Sequence, residues 1–519
     1  MKQRVILRML LVVTVMAGWV SAANAQTPAE GETAAIAQSQ NASEVLKKLD
    51  QLVEQNKQLE KQNKELMDEI QALRPGLAAP SPKPPAANDA AQLANTLESA
   101  VADIAEPESS VAADTQKKPP AREEWGSYTP NFGYKLANTK YGDVNLSIYS
   151  YVRYLNQLGL APTYTNSFGN VTTLQRRQDF QLLKLQIKFL GWMFNPKFRY
   201  FLYAWTSNAS QGLGAQVVLA GNLNYTFNRH FTFSGGITSL PGTRSVEGNF
   251  PFWLSVDSRL IADEYFRPSY TSGIWARGDI TKKLRYQAML GNNLSTLGVS
   301  AAQLDNGLNT VATALVWTPT TGEFGPGFGD FENHEAVATR FGAHFTRSHE
   351  TKQSQPATDA FENTQIRLSD GSVIFVPNLF GPGITVNALN YQMAAADGGL
   401  KYHGYSLWGE GFFRWLNNFS GPGTAGLPHV YDDGFQVQAS AMPIPKTLQA
   451  YLGGSTVLGK YGHPWDTRVG INWFPWKNKV VRWNTEGLYT YNSPVGYPSV
   501  PFALGGHGFI FHTNLELAF

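Results

Sequence analysis

The chain has 519 residues, 42 Lys and Arg against 40 Asp and Glu, a formal net charge of +2, and no cysteine. So small a net charge says little about partners, while the missing thiols exclude disulfides and an acylated lipoprotein. Charged residues make up only 16%, aromatics 13%, and there are 48 glycines, with a mean hydropathy of -0.25. Few charges and many aromatics and glycines suit a two-faced sheet, since opposite faces cancel in the average.

Taken in order, residues 1–25 read as a secretory signal peptide. Lys2, Arg4 and Arg8 supply positive charge, Met9 to Val20 is a short apolar run, and Ala23-Asn24-Ala25 is a small-x-small cleavage site. The run is too short and wrongly flanked for a stable membrane span, which counts against an anchor helix. Residues 26–41 are Ala/Gln/Glu/Ser-rich and predict disorder. Over 42–74 a heptad appears, with Leu49, Asn56, Asn63 and Ile70 seven apart, and Val45, Leu52, Leu59, Leu66 and Leu73 likewise. That alternating three-four spacing predicts a coiled coil, and Lys, Glu and Gln on its flanks favour self-association over packing as a single helix. Residues 75–129 form a Pro/Ala-rich linker, expected to be extended.

From about residue 130 to 519 the texture is strand after strand of period two. Asn145, Ser147, Tyr149, Tyr151 and Arg153 alternate with Val144, Leu146, Ile148, Val152 and Tyr154. Lys184, Gln186 and Lys188 alternate with Leu183, Leu185, Ile187 and Phe189, and later segments around Phe231, Leu284, Phe341, Val469 and Trp483 repeat the pattern. The last, Phe509 to Phe519, puts Phe509, Phe511, Thr513, Leu515, Leu517 and Phe519 on one face and His512, Asn514 and Glu516 on the other. Segments of about ten residues cross a bilayer as tilted strands, and no apolar run of the mature chain approaches the roughly 18 residues a spanning helix requires. Short turns at Asn228-Arg229-His230, Asp279 to Lys283 and Trp476 to Lys479 contrast with longer loops at Thr320 to Glu335, Ser348 to Asn363 and Asn417 to Asp433. At roughly 24 residues per strand and connection, the region predicts an all-β, transmembrane antiparallel barrel of about 16 strands, wide enough for an aqueous channel.

Several residues carry a resemblance. The run Gly470-Ile471-Asn472-Trp473-Phe474-Pro475, followed by Asn478 and Arg482, resembles the penultimate hairpin of the phosphate-selective porins O and P. Gly235-Gly236 with Pro241, then Asp257-Ser258-Arg259 and Gly273, is similar to the strand and inward loop of that family's pore constriction, and Gly133 to Leu136 before Gly142 is similar to its first hairpin. The resemblance covers about residues 130–519 and implies a trimeric, sixteen-stranded anion channel of the bacterial outer membrane, with the coiled coil in the periplasm. The terminal Phe519 likewise resembles the closing aromatic of outer-membrane barrels.

The residues themselves locate the charge. Between Phe180 and Val246 there is no Asp or Glu, and the barrel region is basic by roughly +6. Alternation aims Arg153, Lys184, Lys188, Arg285, Arg340, Arg468 and Arg482 at the lumen, where a row of one sign concentrates counter-ions. The other reading is that they satisfy inward carboxylates, or lie at the rim, as Arg199 does near a strand end. Thr238 to Tyr270 is the constriction candidate: Arg244, Arg259 and Arg267 there face Glu247, Asp257, Asp263 and Glu264, for a transverse field or simply to pin the loop. Trp253, Tyr265 and Phe266 either stack on sugars or anchor the same loop. Scattered histidines without an HExxH-type pair predict no metal, no cofactor and no enzyme. The expected partners are outer-membrane lipid, small hydrophilic solutes (anions first), two further copies of the chain, and peptidoglycan through the coiled coil. The alternatives are a porin for sugars and neutral solutes, a barrel-anchored tether to the cell wall, and an outer-membrane hydrolase.

Overall fold

The computed structural model describes residues 126–129, 132–207, 216–247, 250–297, 299, 303–304, 307–356 and 365–519. The expected signal peptide, coiled coil and all but the end of the linker lie outside them. A short hairpin, β1 (Tyr128–Thr129) and β2 (Gly133–Thr139), precedes β3 (Gly142–Leu160), and β4 (Thr163–Thr165) with β5 (Val171–Thr173) decorates the next loop. Then come β6 (Gln178–Met193), β7 (Asn195–Ser207), β8 (Gln216–Asn228), β9 (Phe231–Ser239), a short helix α1 (Ile261–Phe266), β10 (Tyr270–Thr281), β11 (Leu284–Gly291) and β12 (Thr310–Trp317). The remainder is β13 (Ala338–Thr351), β14 (Ala388–Tyr402), β15 (Tyr405–Ser420), β16 (Val430–Ile444), β17 (Leu448–Gly459), β18 (Trp465–Trp473), β19 (Val481–Tyr491) and β20 (Gly508–Ala518).

Each strand from β7 to β20 pairs antiparallel with the one before it, β6 pairs with β3, and β20 returns to β3 through Leu515↔Val152 and Leu517↔Ser150. Sixteen strands therefore close a ring, and closure leaves no open edge whose backbone N–H and C=O groups would face lipid, which is what lets strands cross it. β3 is longer than its partner: β20 occupies its edge only as far as Ile148, where Phe519 exchanges two backbone hydrogen bonds of 2.6 and 2.9 Å. β2 takes up the rest, through Tyr134↔Leu146 and Lys135↔Asn145, and Tyr134 lies edge-on to the Phe519 ring at 5.4 Å.

Alternation does what the sequence asks. Along β13, Arg340, His344, Thr346 and Ser348 are buried while Phe341 and Phe345 are exposed; along β18, Arg468 and Asn472 are buried while Val469, Ile471 and Trp473 are exposed. The outer wall is therefore a continuous apolar face far larger than a soluble surface carries. Its aromatics gather at two levels: Trp317, Tyr402, Tyr405, Trp473, Trp476 and Trp483 near the short turns, and Phe180, Tyr431, Trp465, Tyr491 and Phe509 at the opposite ends of the strands. That is the paired girdle of a membrane barrel. Among the described residues no helix is long and apolar enough to cross a membrane.

Two expectations are corrected. Leu183 points inward, fully buried against Tyr149, Tyr151 and Val256, because a bulge sets Tyr151 opposite Lys184 and Val152 opposite Leu182, leaving Leu183 as the extra residue. The Thr320 to Glu335 stretch does not join the long-loop end. β12, whose inward residues Ala312 and Ala314 are small, intervenes and brings 318–337 to the end of the short turns.

Candidate functional site: the lumen and its inserted loops

The 240–269 connection between β9 and β10 folds inward. Pro241 O faces His344 Nδ1 at 3.2 Å, and the Glu247 carboxylate meets Arg340. Farther on, Phe250 packs edge-on against Tyr149 at 4.7 Å, and Asp257 accepts from Tyr151 and Lys184, at 2.9 and 2.8 Å. The path then runs back along the wall. Arg482 donates to Trp253 O at 2.6 Å, Arg468 to Arg259 O at 2.7 Å, Ser455 accepts from Ala262 N, Asp432 from Tyr265, and Tyr391 donates to Phe266 O. Among the described residues, its hydrogen bonds and ion pairs to the wall go to β3, β6 and β13–β19. It covers that sector, and Trp275, Met289 and Ala312 of β10–β12 share a buried hydrophobic cluster with its Leu240 and Phe266.

The covered sector is a charge-balanced wall. Arg340 meets both Asp397 and Glu247, with His344 completing the group at 2.9 Å from Asp397. Arg468 lies between Asp466 and Glu486, at 3.1 and 3.5 Å, and Arg482 grips Glu516 at 2.5 Å. Glu486 also accepts from Tyr451 at 2.6 Å and faces His512 Nε2 at 3.0 Å. Beside them the amides of Asn514, Asn484, Asn472 and Gln449 donate one to the next at 2.8–2.9 Å, across four strands. On the loop, Glu264 sits between Arg259 at 3.0 Å and Arg267 at 2.7 Å. Burial works to raise the Glu264 pKa, but the two guanidiniums overturn that and bring it down to about 2.

The lumenal Arg and Lys residues thus divide. Arg259, Arg267, Arg340, Arg468, Arg482 and Lys184 are paired with carboxylates, the bland alternative of the sequence reading. Arg244 donates to Gly327 O at 3.0 Å and lies over the Phe324 and Phe328 rings. Arg153, fully buried, differs. Its guanidinium donates to Asn514 Oδ1, Ser499 O and the Tyr151 hydroxyl, and meets no carboxylate among the described residues. Lys188 faces inward between Ser147 and Tyr203 in the register, on the same side of β6 as Lys184, and has no ion pair among the described residues. Arg199 is buried on β7, opposite Asn224, not at the rim, and Arg285 lies inward on β11, opposite Asp279. Trp253 stacks under Arg259 at 4.0 Å and Phe266 on Phe412 at 5.1 Å, so these rings anchor the loop.

His344, Asp397 and Glu410 bring ligand atoms within 4.8 Å of one another. Their oxygens are already engaged: Asp397 by Arg340 and His344, Glu410 by Arg244 N–H at 2.9 Å and Gln436 at 2.9 Å. Two adjacent guanidiniums make the group an ion-pair network, a poor cation cage. Sequence reasoning missed its carboxylates, because Asp397 and Glu410 lie in Ala- and Gly-rich strands whose alternation is faint.

An apolar exterior, a polar interior and a closed antiparallel ring define the class of transmembrane β-barrels. No family model matches the chain, and no curated protein matches it. Among solved structures it is similar to an anion-selective porin from Comamonas acidovorans, at 10% identity over 73% of this chain and all of that one, with a TM-score of 0.45. It is also similar to the outer-membrane channel DcaP of Acinetobacter baumannii, at 8% identity over 74% and 99% of the two chains and a TM-score of 0.45. OmpF of Salmonella typhi in complex with daunomycin stands at 12% identity, 74% and 99% coverage, and a TM-score of 0.41.

Proposed function

We propose that the chain is a bacterial outer-membrane porin that passes small hydrophilic solutes by diffusion, with a bias toward anions. The observation that supports the bias is the sign of the charge along one sector of the wall. The inserted loop and the β13–β19 wall cancel each other's charges, whereas residues 180–239, most of β6 through β9, carry Lys184, Lys188, Lys197, Arg199 and Arg229 and no acidic residue of their own, with Asp257 of the loop answering Lys184. A passage along β7–β9 runs past that wall, and one-signed lining in a low-dielectric tube raises the local concentration of the opposite ion. Phosphate-type anions belong to the solutes so favoured, and assembly as a homotrimer with a periplasmic coiled coil belongs to the same reading.

The experiment is single-channel recording of the purified protein in asymmetric KCl, followed by phosphate competition against chloride. A reversal potential on the chloride side supports the proposal; a cation preference overturns its electrostatic part, and no current overturns the channel.

A further inference from the structure

The turn end of the barrel holds a second inward loop. Residues 318–337 join β12 to β13 where the other connections at that end are short, and the segment Phe324-Gly325-Pro326-Gly327-Phe328 is buried. Phe328 stacks on Trp408 of β15 at 4.3 Å and 13°, and Lys401 of β14 points its Nζ at Gly325 O and Pro326 O, 3.4 Å from each, while lying over the Phe324 ring. At its tip the loop meets the one from the far end: Phe328 N–H donates to Phe252 O at 3.4 Å, and Arg244 reaches Gly327 O. Gly327 has φ +77°, and an added Cβ would lie 2.3 Å from Phe252 O, so the approach requires glycine.

The base of the loop is clasped as well. His334 Nδ1 meets Asp330 at 2.5 Å and its Nε2 meets Glu323 at 3.2 Å; Asp330 accepts from Gly404 N–H at 2.8 Å. Lys479, in the turn after β18, pairs with Glu332 at 2.7 Å and lies between the Phe252 and Phe331 rings, at 4.6 and 5.0 Å. Loops entering from opposite ends are thus joined over one sector of wall, near the turn end.

Building on the channel reading, we propose that 318–337 is a second constriction element, which with 240–269 sets the upper size of solute that passes. A loop that merely closed the turn would not bury two phenylalanines inside a polar lumen or lock onto the opposite loop. Both inserts pack on β14 and β15, so both narrow the lumen from that side and leave the solute the wall of β7–β9.

The test replaces 321–334 by an Asn-Gly turn and, separately, makes Phe328→Ala, which leaves the connection intact should the deletion misfold. Each is refolded, checked for sheet content, and compared with the parent by single-channel conductance and by liposome swelling in sugars of increasing size. The expected result is conductance raised about twofold or more and passage of sugars that the parent excludes. Unchanged conductance and size limit in folded variants overturn the second constriction while leaving the channel standing. Absence of current in parent and variants alike overturns the channel reading and this inference with it.

Discussion

Arg482 grips Glu516 with two nitrogens, Nε at 2.5 Å and Nη2 at 2.8 Å, while Nη1 donates to the Trp253 carbonyl of the inserted loop at 2.6 Å. One ion pair therefore joins the last two strands to each other and to the loop. Both groups are buried, so removing one partner strands the other. Glu516→Ala is expected to cost about 3–5 kcal/mol, whereas Arg482→Met with Glu516→Leu recovers most of that and still loosens the loop. Urea unfolding in detergent, followed by loss of sheet signal, gives the energies. Similar destabilisation in the single and double variants would refute the pairing argument.

A separate prediction concerns which cation matters for current. Lys188→Glu places an acid on the one-signed wall and is expected to move the reversal potential toward cations. Arg468→Gln, in the balanced wall, leaves Asp466 and Glu486 short of a partner and acts chiefly on stability. If Arg468→Gln shifts ion selectivity as much as Lys188→Glu does, the division between answered and unanswered charge is wrong.

The pH dependence follows from His334. Burial works to lower its pKa, but the hydrogen bonds to Asp330 and Glu323 prevail and raise it to about 9 from an ordinary 6.5. A raised folded-state pKa means the clasp contributes fully below about 6.5 and fades as pH rises through about 9. The 318–337 loop should then loosen between neutral and alkaline pH, with conductance higher at pH 10 than at pH 7. His334→Gln should flatten that profile. A profile that keeps its full amplitude in the variant assigns the effect elsewhere.

The barrel was legible because its signal is repeated: strand after strand shows period two, and Phe341, Ile471 or Trp483 need only face lipid, a demand with no partner to specify. The lumen was harder to read. Arg340, Arg468 and Arg482 were placed inward correctly by alternation, but nothing in local sequence says that Asp397, Glu486 and Glu516 would answer them from other strands. β12 was missed because Ala312 and Ala314 give its inward face no polar contrast. Without it, Thr320 to Glu335 reads as one more long loop at the end opposite the short turns.

Gly327 offers the sharpest local check on how the two inserts meet. Alanine there must both hold φ near +77° and clear the Phe252 carbonyl, which an ideal Cβ approaches to 2.3 Å. Strain of about 1–3 kcal/mol from the backbone alone falls on the contact, since the rest of the barrel is unaffected. Gly327→Ala should therefore leave global unfolding in urea nearly unchanged while separating the loops, seen as faster hydrogen exchange at Phe328 N–H and as a raised single-channel conductance. Gly322, also at positive φ but with no atom nearer than 3.9 Å to an added Cβ, supplies the control. Gly322→Ala carries the same backbone strain without the steric contact, so an equal effect on Phe328 exchange would show that the approach to Phe252 is not what holds the loops together.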